Sequence, residues 1–486
     1  MAAGVQAIPG YALTPSSVKA TLPTNYITDF NFLNQYLPDT YEKEFERYGN
    51  RTISAFLRMV GAEMPTNSDM VKWAEQGRLH TKYTACQTAN PAGATAATNI
   101  DWLTGPGGAG TNEACNFRVG QTIFISENGG STSNKAIVTA VDVGGNADAF
   151  RVAYYEASQN IPAATAATIF VYGSEFRKGS GGMAGSLDSQ DIFLDNKPII
   201  IKDNYQVAGS DMAQIGWVEI TSENGATGYL WYLKSEHETR LRFDDYLEMS
   251  MIEGVPAATL SGAAAHLVAS AYPAGSTLPQ SAGTQGLFDA INARGNVFGG
   301  GNPTSLADFD AIIQRLDKQG AIQENVIFVN RQFGFDIDDM LAAQNSYGAG
   351  GTSYGLFDND EDMALNLGFH GFKRGYEFYK TDWKYLNDAT LRGDIDGGAI
   401  NGVLVPAGST SVYDQILGKN AKRPFLHVRY RASETEDRRY KSWITGSAGG
   451  AQTSTIDEMQ VSFLSERCLC TLGANNFFLF QNAGGV

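Results

Sequence analysis

The sequence contains few cysteines, histidines and prolines. The small numbers of cysteine and histidine exclude several classes of protein. Its 486 residues include four cysteines, five histidines and 15 prolines. So few cysteines, scattered along the chain, do not make the disulfide framework of a small secreted domain. The histidines lack metal-ligand spacing, and the glycine-rich segments lack the Lys-Ser/Thr pair of a phosphate loop. We therefore expect no metal site, no cofactor and no enzymatic activity.

Basic residues are also scarce. Lysine and arginine number 36 against 52 aspartates and glutamates, which gives a formal net charge of −16. A protein that reads nucleic-acid sequence normally carries a basic face, so we do not expect sequence-specific binding of DNA or RNA. The acidity fits ordinary solubility equally well, and charge alone decides nothing further.

Long apolar runs are missing as well. Residues Met1 to Gly10 lack the basic and apolar regions of a signal peptide. No run reaches the roughly 20 apolar residues of a membrane-spanning helix. The nearest candidate, Val255 to Ala271, is interrupted by Ser261, His266 and Ser270. We expect a chain that is made in the cytosol and has no membrane partner.

Glycine is abundant, with 54 residues, and the hydrophobic fraction of 43% is enough for several cores. The patterns predict an α+β fold in six segments: an N-terminal arm with short helices (1–85), an inserted small β-rich domain (86–175), an extended loop and strand pair (176–222), the region of a long helix (223–283), an α/β domain with further strands (284–450) and a C-terminal β segment (451–486).

Four local patterns define these segments most clearly. Short alternating runs such as Thr122 to Ser126 predict a small β-barrel in the second segment. Residues Lys197 to Gly209 and Gln214 to Thr221 predict a pair of strands. The run from Gly228 to Glu253 has no internal proline or glycine and predicts the longest helix, ended by Gly254 as its C′ residue. Ser305 to Gln319 predicts an amphipathic helix.

Two further patterns suggest chemistry but are better explained by structure. Asp358 to Asp362 begins like a calcium-binding loop, yet Met363 and Phe369 occupy the positions where glycine and glutamate are needed. Cys468 and Cys470 would lie on one face of a strand, which fits packing. We interpret the first as a solvated acidic loop and the second as part of a core.

Three stretches, in this order, resemble the major capsid proteins of tailed bacteriophages with the Hong Kong 97 fold. Asn204 to Gly254 is similar to their strand pair and long spine helix, which ends in an acidic residue and a glycine. Thr284 to Ala342 looks like the helix–helix–strand core of their axial domain. The third stretch comprises YKTDWKYLNDATLRG, NGVLVPAGS and RPFLHVRYRA, followed by the terminal β segment. The chain also resembles the capsid proteins of crAss-like gut phages.

The resemblance implies a structural protein. Its N-terminal arm and extended loop would be ordered by neighbouring subunits, and the inserted small β-barrel domain at 86–175 departs from the minimal fold. Copies would form pentamers and hexamers and then the icosahedral shell of the virion. The shell would enclose double-stranded DNA, which the subunits would approach without binding a specific sequence. Assembly would take place in the host cytoplasm. Portal, decoration and scaffolding proteins are the further partners that the resemblance implies.

Charged residues of the extended loop and the long helix are the predicted subunit interface. Each would pair with an oppositely charged residue of a neighbour, although solvated surface charge is an alternative for every one of them. The predicted interface residues are Arg177, Lys178, Asp188, Asp191, Glu236, Arg240, Arg242, Asp244 and Asp245.

Two other readings remain open at this point. An encapsulin-type nanocompartment shares the resemblance and encloses cargo enzymes in place of a genome. A β-rich carbohydrate-active enzyme is a second alternative, because acidic residues abound and a carboxylate pair is compatible with one sequence. The six tryptophans are dispersed, however, and a carbohydrate cleft usually clusters them.

Overall fold

The computed structural model describes residue 56 and residues 62–80, 82–88, 98–102, 104–105, 108–109, 116–141, 149–156, 166–186, 191–214, 219–221, 227–257, 283–320, 322–344, 371–395, 397–407, 409–414, 419–448, 450 and 452–482. The short helices predicted between residues 38 and 61 lie outside these ranges, apart from Phe56. The acidic segment Asp358 to Asp362 also lies outside them.

Just under half of the described residues lie in β-strands, and the glycine-rich, alternating sequence predicts many such short strands. The strands are β1 (Ala62–Thr66), β2 (Val71–Gln76), β3 (Lys82–Thr88), β4 (Thr98–Trp102), β5 (Thr104–Gly105), β6 (Gly108–Ala109), β7 (Gln121–Glu127), β8 (Ser133–Val141), β9 (Ala149–Tyr154), β10 (Ala166–Ser174), β11 (Asp191–Asn196), β12 (Ile199–Ala208), β13 (Glu219–Thr221), β14 (Thr227–Tyr229), β15 (Asn296–Phe298), β16 (Glu324–Val329), β17 (Gly371–Arg374), β18 (Tyr376–Asp382), β19 (Ile400–Pro406), β20 (Ser409–Asp414), β21 (Lys419–Pro424), β22 (Leu426–Arg431), β23 (Lys441–Gly446), β24 (Glu458–Thr471) and β25 (Phe478–Gln481).

The helices of the described ranges are α1 (Gly209–Gln214), α2 (Leu230–Glu253), α3 (Leu287–Arg294), α4 (Leu306–Gln319), α5 (Arg331–Gln344) and α6 (Lys384–Asn387). Ser305 caps α4 and forms a capping box with Asp308, while Gly320 ends it in the left-handed conformation. These are the signals that predict a helix over Ser305 to Gln319, and the two ends agree within one residue.

The chain divides into two compact units, and one of them interrupts the other in sequence. The first comprises Met1–Trp73 with Asp195–Val486, and the second is Ala74–Leu194. In the second unit six strands close a barrel in the order β10-β3-β4-β9-β8-β7. Tyr83, Phe117 and Phe150 stack inside it, with ring centroids 4.5 and 4.3 Å apart. The strands of this barrel run from Lys82 to Ser174.

Two sheets organise the first unit. In one of them β24 pairs with β12, β22 and β23, and β1 adds to β22 in parallel. The other has the order β15-β25-β19-β16-β18-β17. Helices α4 and α5 cover this second sheet with buried apolar residues, among them Phe309, Leu316 and Phe333, which pack on Phe378 and Phe480. The apolar C-terminal segment is therefore strand β25 in the middle of a core.

The long helix α2 lies against the sheet of β12 and β24. Phe243 is fully buried and stacks on Phe463 of β24, with ring centroids 5.7 Å apart. Glu248 is also buried, and one of its carboxylate oxygens accepts the backbone N–H of Phe56 at 2.9 Å. The ring of Phe56 stacks on Trp383 at 4.5 Å, so this residue of the N-terminal region is part of the same core.

A charged cluster holds the C-terminal end of α2. Arg392, in the segment between β18 and β19, donates from Nε and Nη2 to the two carboxylate oxygens of Glu253 at 2.5 and 2.6 Å. The Tyr385 hydroxyl donates to the same carboxylate at 2.5 Å. The guanidinium also lies over the ring of Phe288 in α3, 5.2 Å from its centroid. We call Glu253, Tyr385 and Arg392 the helix-end clamp.

The structure adds detail to two features predicted from the sequence. Lys197 to Gly209 contains β12, which pairs with β24 over ten residues, and the last three residues of Gln214 to Thr221 form β13, which pairs with β14. Gly254 does follow the last residue of α2, but it is not among the glycines with positive φ. Glycine is needed there because a Cβ would lie 2.6 Å from the carbonyl oxygen of Thr284. Close approach to the chain before α3, not left-handed geometry, selects it.

We predict that Arg392→Ala lowers the free energy of unfolding by about 2–3 kcal/mol, because Glu253 would keep its partial burial and lose its cation. Tyr385→Phe removes one hydrogen bond and should cost about 1 kcal/mol. Arg331 pairs with Asp382 at 2.7 Å on the surface, so Arg331→Ala is the matched control and should cost less than about 0.5 kcal/mol. Chemical denaturation of the three variants measures these differences. Equal losses for Arg392→Ala and Arg331→Ala would contradict the role of the clamp.

Candidate subunit interface

The predicted basic pair of the extended loop lies in a tight turn after β10. The backbone N–H of Ser180 donates to the carbonyl of Arg177 at 3.2 Å, and its hydroxyl donates to the same oxygen at 2.8 Å. Gly179 has a φ of +78°, as the third residue of such a turn requires. Both Arg177 and Lys178 are exposed. The turn therefore presents two adjacent cations to solvent.

The predicted charges of α2 lie on a surface that is already occupied in part by the same chain. Arg240 and Arg242 are exposed, whereas Glu236, Asp244 and Asp245 are half-buried. The predicted interface residues therefore fall into two sets. The loop set is Arg177, Lys178 and Asp191, which are exposed, and the helix set is the five charged residues of α2, which lie partly against their own chain. Asp188 lies outside the described residues.

Two pKa shifts show how the helix set is engaged. Burial raises the pKa of Tyr440, Asp244 raises it further, and Arg240 opposes the increase. Burial also raises the pKa of Asp203 on β12, and this rise is opposed by the backbone N–H of Asn204 and by Arg242. These charges of α2 interact with residues of the same chain, so the loop set is the stronger interface candidate.

Strand β11, which follows the loop in sequence, carries exposed apolar side chains. It pairs with β2 as a two-stranded sheet. Because successive strand residues alternate between faces, Asp191, Phe193 and Asp195 share one face. All three are exposed, and the Phe193 side chain is 73% exposed. We call these three residues the β11 face. It offers an aromatic ring between two carboxylates.

The sequence analysis missed Phe193 and Asp195. The alternation of DIFLDN would have placed both with Asp191, but an apolar residue in a strand predicts burial as readily as exposure. On the opposite face Asn196 is buried at the end of the strand, whereas Ile192 is exposed. The exposure of Phe193 is a tertiary property, and no local signal carries it.

Candidate chemistry elsewhere is sparse in the described part of the chain. No group of three or more His, Cys, Asp or Glu residues there could hold a metal ion. Cys468 and Cys470 are buried on β24 beside Val71 and Trp73, in agreement with a packing role. The sequence from Gly351 to Gly355 does match the G-x-S-x-G pattern of serine hydrolases, which the sequence analysis overlooked. It lies outside the described residues.

Within the described ranges, none of the helices combines the length and the apolar character that crossing a bilayer would demand.

No protein-family model matches the sequence, and no curated protein matches it.

Several solved structures are similar to this one. The structure of Microbacterium phage Oxtober96 matches 92% of this chain and 95% of its own, with a TM-score of 0.39 and 10% identity. Mycobacterium phage Bobi matches 92% and 96%, with a TM-score of 0.34 and 7% identity. A structure described as the asymmetric unit of the bacteriophage PhiM1 mature capsid matches 63% and 77%, with a TM-score of 0.34 and 8% identity. These TM-scores lie below 0.5, so the similarities carry no argument about function.

We predict that Phe193→Ala changes the free energy of unfolding by less than about 0.5 kcal/mol, because little apolar surface returns to water. The matched control is Phe463→Ala on β24, where the ring is buried against Phe243. Loss of that ring should cost about 3–5 kcal/mol. Chemical denaturation followed by circular dichroism compares the two. A large loss for Phe193→Ala would mean that the β11 face packs within its own chain.

Proposed function

We propose that this chain is the major capsid protein of a tailed bacteriophage, with the Hong Kong 97 fold. Copies assemble into pentamers and hexamers and then into a closed icosahedral shell around the double-stranded DNA genome. The observation that carries this proposal is the β11 face, in which the largely exposed side chain of Phe193 lies between two exposed carboxylates. The role is structural, and the protein acts without a cofactor.

The exposed apolar surface supports a function in association. Ile192 and Phe193 are neighbours on β11 and are 59% and 73% exposed, so both faces of the strand leave apolar area in water. An exposed apolar side chain on each face of the strand leaves area that a neighbouring subunit can cover. The acidic residues beside them keep the free subunit soluble and make the contact selective for a basic partner.

The rigidity of the first unit supports a function in bearing load. Helix α2 packs along one sheet through Phe243, and its end is fixed by Arg392 from beside the other sheet. A shell subunit must pass force between contacts on different sides without bending. A helix that is tied at both positions does this better than a loop, because its backbone hydrogen bonds are satisfied along its whole length.

The charge of the chain supports the proposed content of the shell. At −16 the subunit repels a polyanion and gives it no broad adhesive surface. Packaged DNA would stay free to move past such a wall. The proposed partners are further copies of the chain, with portal, scaffolding and decoration proteins as the other virion components.

The first experiment is sedimentation velocity and negative-stain imaging of the purified protein. Closed shells in the megadalton range, or rings of five and six, support the proposal. A species that remains a monomer or dimer at high concentration, with crowding agents and with candidate scaffolding proteins, overturns it. Extraction of DNA from shells recovered from infected cells separates a capsid from an enzyme-filled compartment.

We predict that reversing both charges of the loop turn, with Arg177→Glu and Lys178→Glu, reduces closed shells at least about tenfold, because like charges would then meet across the contact. The fold should be unchanged, since both side chains are exposed. Sedimentation velocity counts the shells, and circular dichroism checks the fold.

The control for that experiment exchanges the two residues, with Arg177→Lys and Lys178→Arg, and keeps both charges. It should assemble like the natural protein. Normal shells from the double charge reversal would show that this turn takes no part in the contacts.

A further inference from the structure

The outer surface of the barrel carries one row of residues that crosses four strands. Lys82 on β3 lies opposite Phe170 on β10, Phe170 lies opposite Phe124 on β7, and Phe124 lies opposite Lys135 on β8. The two phenylalanine rings are in contact, with centroids 5.3 Å apart. We call these four residues the barrel row. It consists of two aromatic rings with a cation at each end.

The barrel row is accessible. Lys82 and Lys135 are exposed, Phe170 is 40% exposed and Phe124 is half-buried. Tyr172, two residues further along β10 and 49% exposed, lies beneath the ammonium group of Lys135 at 5.8 Å. The two rings of the row are therefore preformed, and the ammonium group of Lys135 lies beside them over Tyr172. It has to turn away from Tyr172 to meet a carboxylate at the end of the row.

The dimensions of the barrel row match those of the β11 face. Adjacent strands are about 4.8 Å apart, so the two lysine positions are about 14 Å apart along the curved surface of the barrel. Along a strand each residue advances about 3.3 Å, so Asp191 and Asp195 are separated by about 13 Å. Phe193 lies midway between the two carboxylates, as the paired rings of Phe170 and Phe124 lie midway between the two lysines. Charge, ring position and length are all complementary.

The geometry points to docking of the β11 face of one subunit on the barrel row of a neighbouring copy. Asp191 and Asp195 pair with Lys82 and Lys135, and Phe193 packs on Phe170 and Phe124. This inference rests on the proposed function and deepens it by naming both sides of one contact between shell subunits. The contact joins two different surfaces, so each copy can give one and receive one.

A second copy is the partner that these observations favour. Phe193 and Phe170 are both exposed, so the described residues of the chain cover neither surface. Every copy of the chain carries both the β11 face and the barrel row, so the two surfaces are always present at equal concentration. A chain with a net charge of −16 also offers few basic surfaces, which makes this row a selective target for its own acidic strand.

The test is a charge exchange between the two surfaces. One variant carries Lys82→Glu and Lys135→Glu, and a second carries Asp191→Lys and Asp195→Lys. Each alone should lose association at least about tenfold, because like charges face each other. A single chain with all four substitutions should recover it fully. An equal mixture of the two should recover association between unlike copies but not closed rings of five, because the two kinds must alternate. Arg78→Glu with Arg151→Glu changes the net charge equally outside the row and is the control.

Sedimentation velocity on the variants and their mixture distinguishes the outcomes. Loss in each variant and recovery in the mixture support the docking. Unchanged shells from both variants overturn the docking and leave the proposed function standing. Pairwise association of the natural protein that each variant loses and the mixture restores, without shells from the natural protein, supports the docking and overturns the proposed function. Association in the mixture but not in the natural protein overturns the docking. Absence of association in every sample overturns both.

Discussion

The carboxylate of Glu253 lies where the long helix, the second sheet and helix α3 come together, and the arrangement of the first unit depends on it. Arg392 satisfies both of its oxygens while its plane covers Phe288, and Tyr385 adds a third donor. Such a partly buried ion pair contributes little net stability when compared with apolar packing. Its effect is to fix one geometry, because any other position of the helix end leaves a charge without its partner.

That constraint explains how α2 can pack against one sheet and be held at its end by residues beside the other. Its buried residues Phe243, Leu247 and Met251 recur every four residues and give it one apolar stripe against the core. A stripe alone would allow the helix to slide along the sheet or to rotate slightly. The clamp removes this freedom at one end, and the buried contact of Glu248 with the backbone of Phe56 removes it one turn earlier.

Local signals predicted what local chemistry decides. The ends of α4 follow from Ser305 and Gly320, and the barrel strands follow from alternation and glycine-rich turns. The partner of β12 could not be predicted, because β24 lies more than 250 residues further along the chain and strand patterns do not specify partners. Gly254 shows a related limit. The sequence predicts a glycine at the helix end, but the reason for it is the approach of a distant segment.

The candidate interface was predictable only in part for the same reason. Charge at Arg177, Lys178 and Asp191 is visible in the sequence, whereas the exposure of Phe193 is not. The barrel row is still less accessible to sequence reasoning, since its four residues come from four strands and become a row only through three registers.

A contact of this kind is suited to a structure that must close. Exposed ion pairs contribute about 0.2–1 kcal/mol each, so a single docking of two such pairs and one aromatic ring is weak and reversible. Because the contact is reversible, a misplaced subunit can dissociate before further subunits bind around it. Closure of a ring then gives every subunit two such contacts, and release of one copy must break both at once. Weak, directional and complementary surfaces therefore favour a closed assembly over an irregular aggregate, and the equal lengths of the β11 face and the barrel row supply the direction.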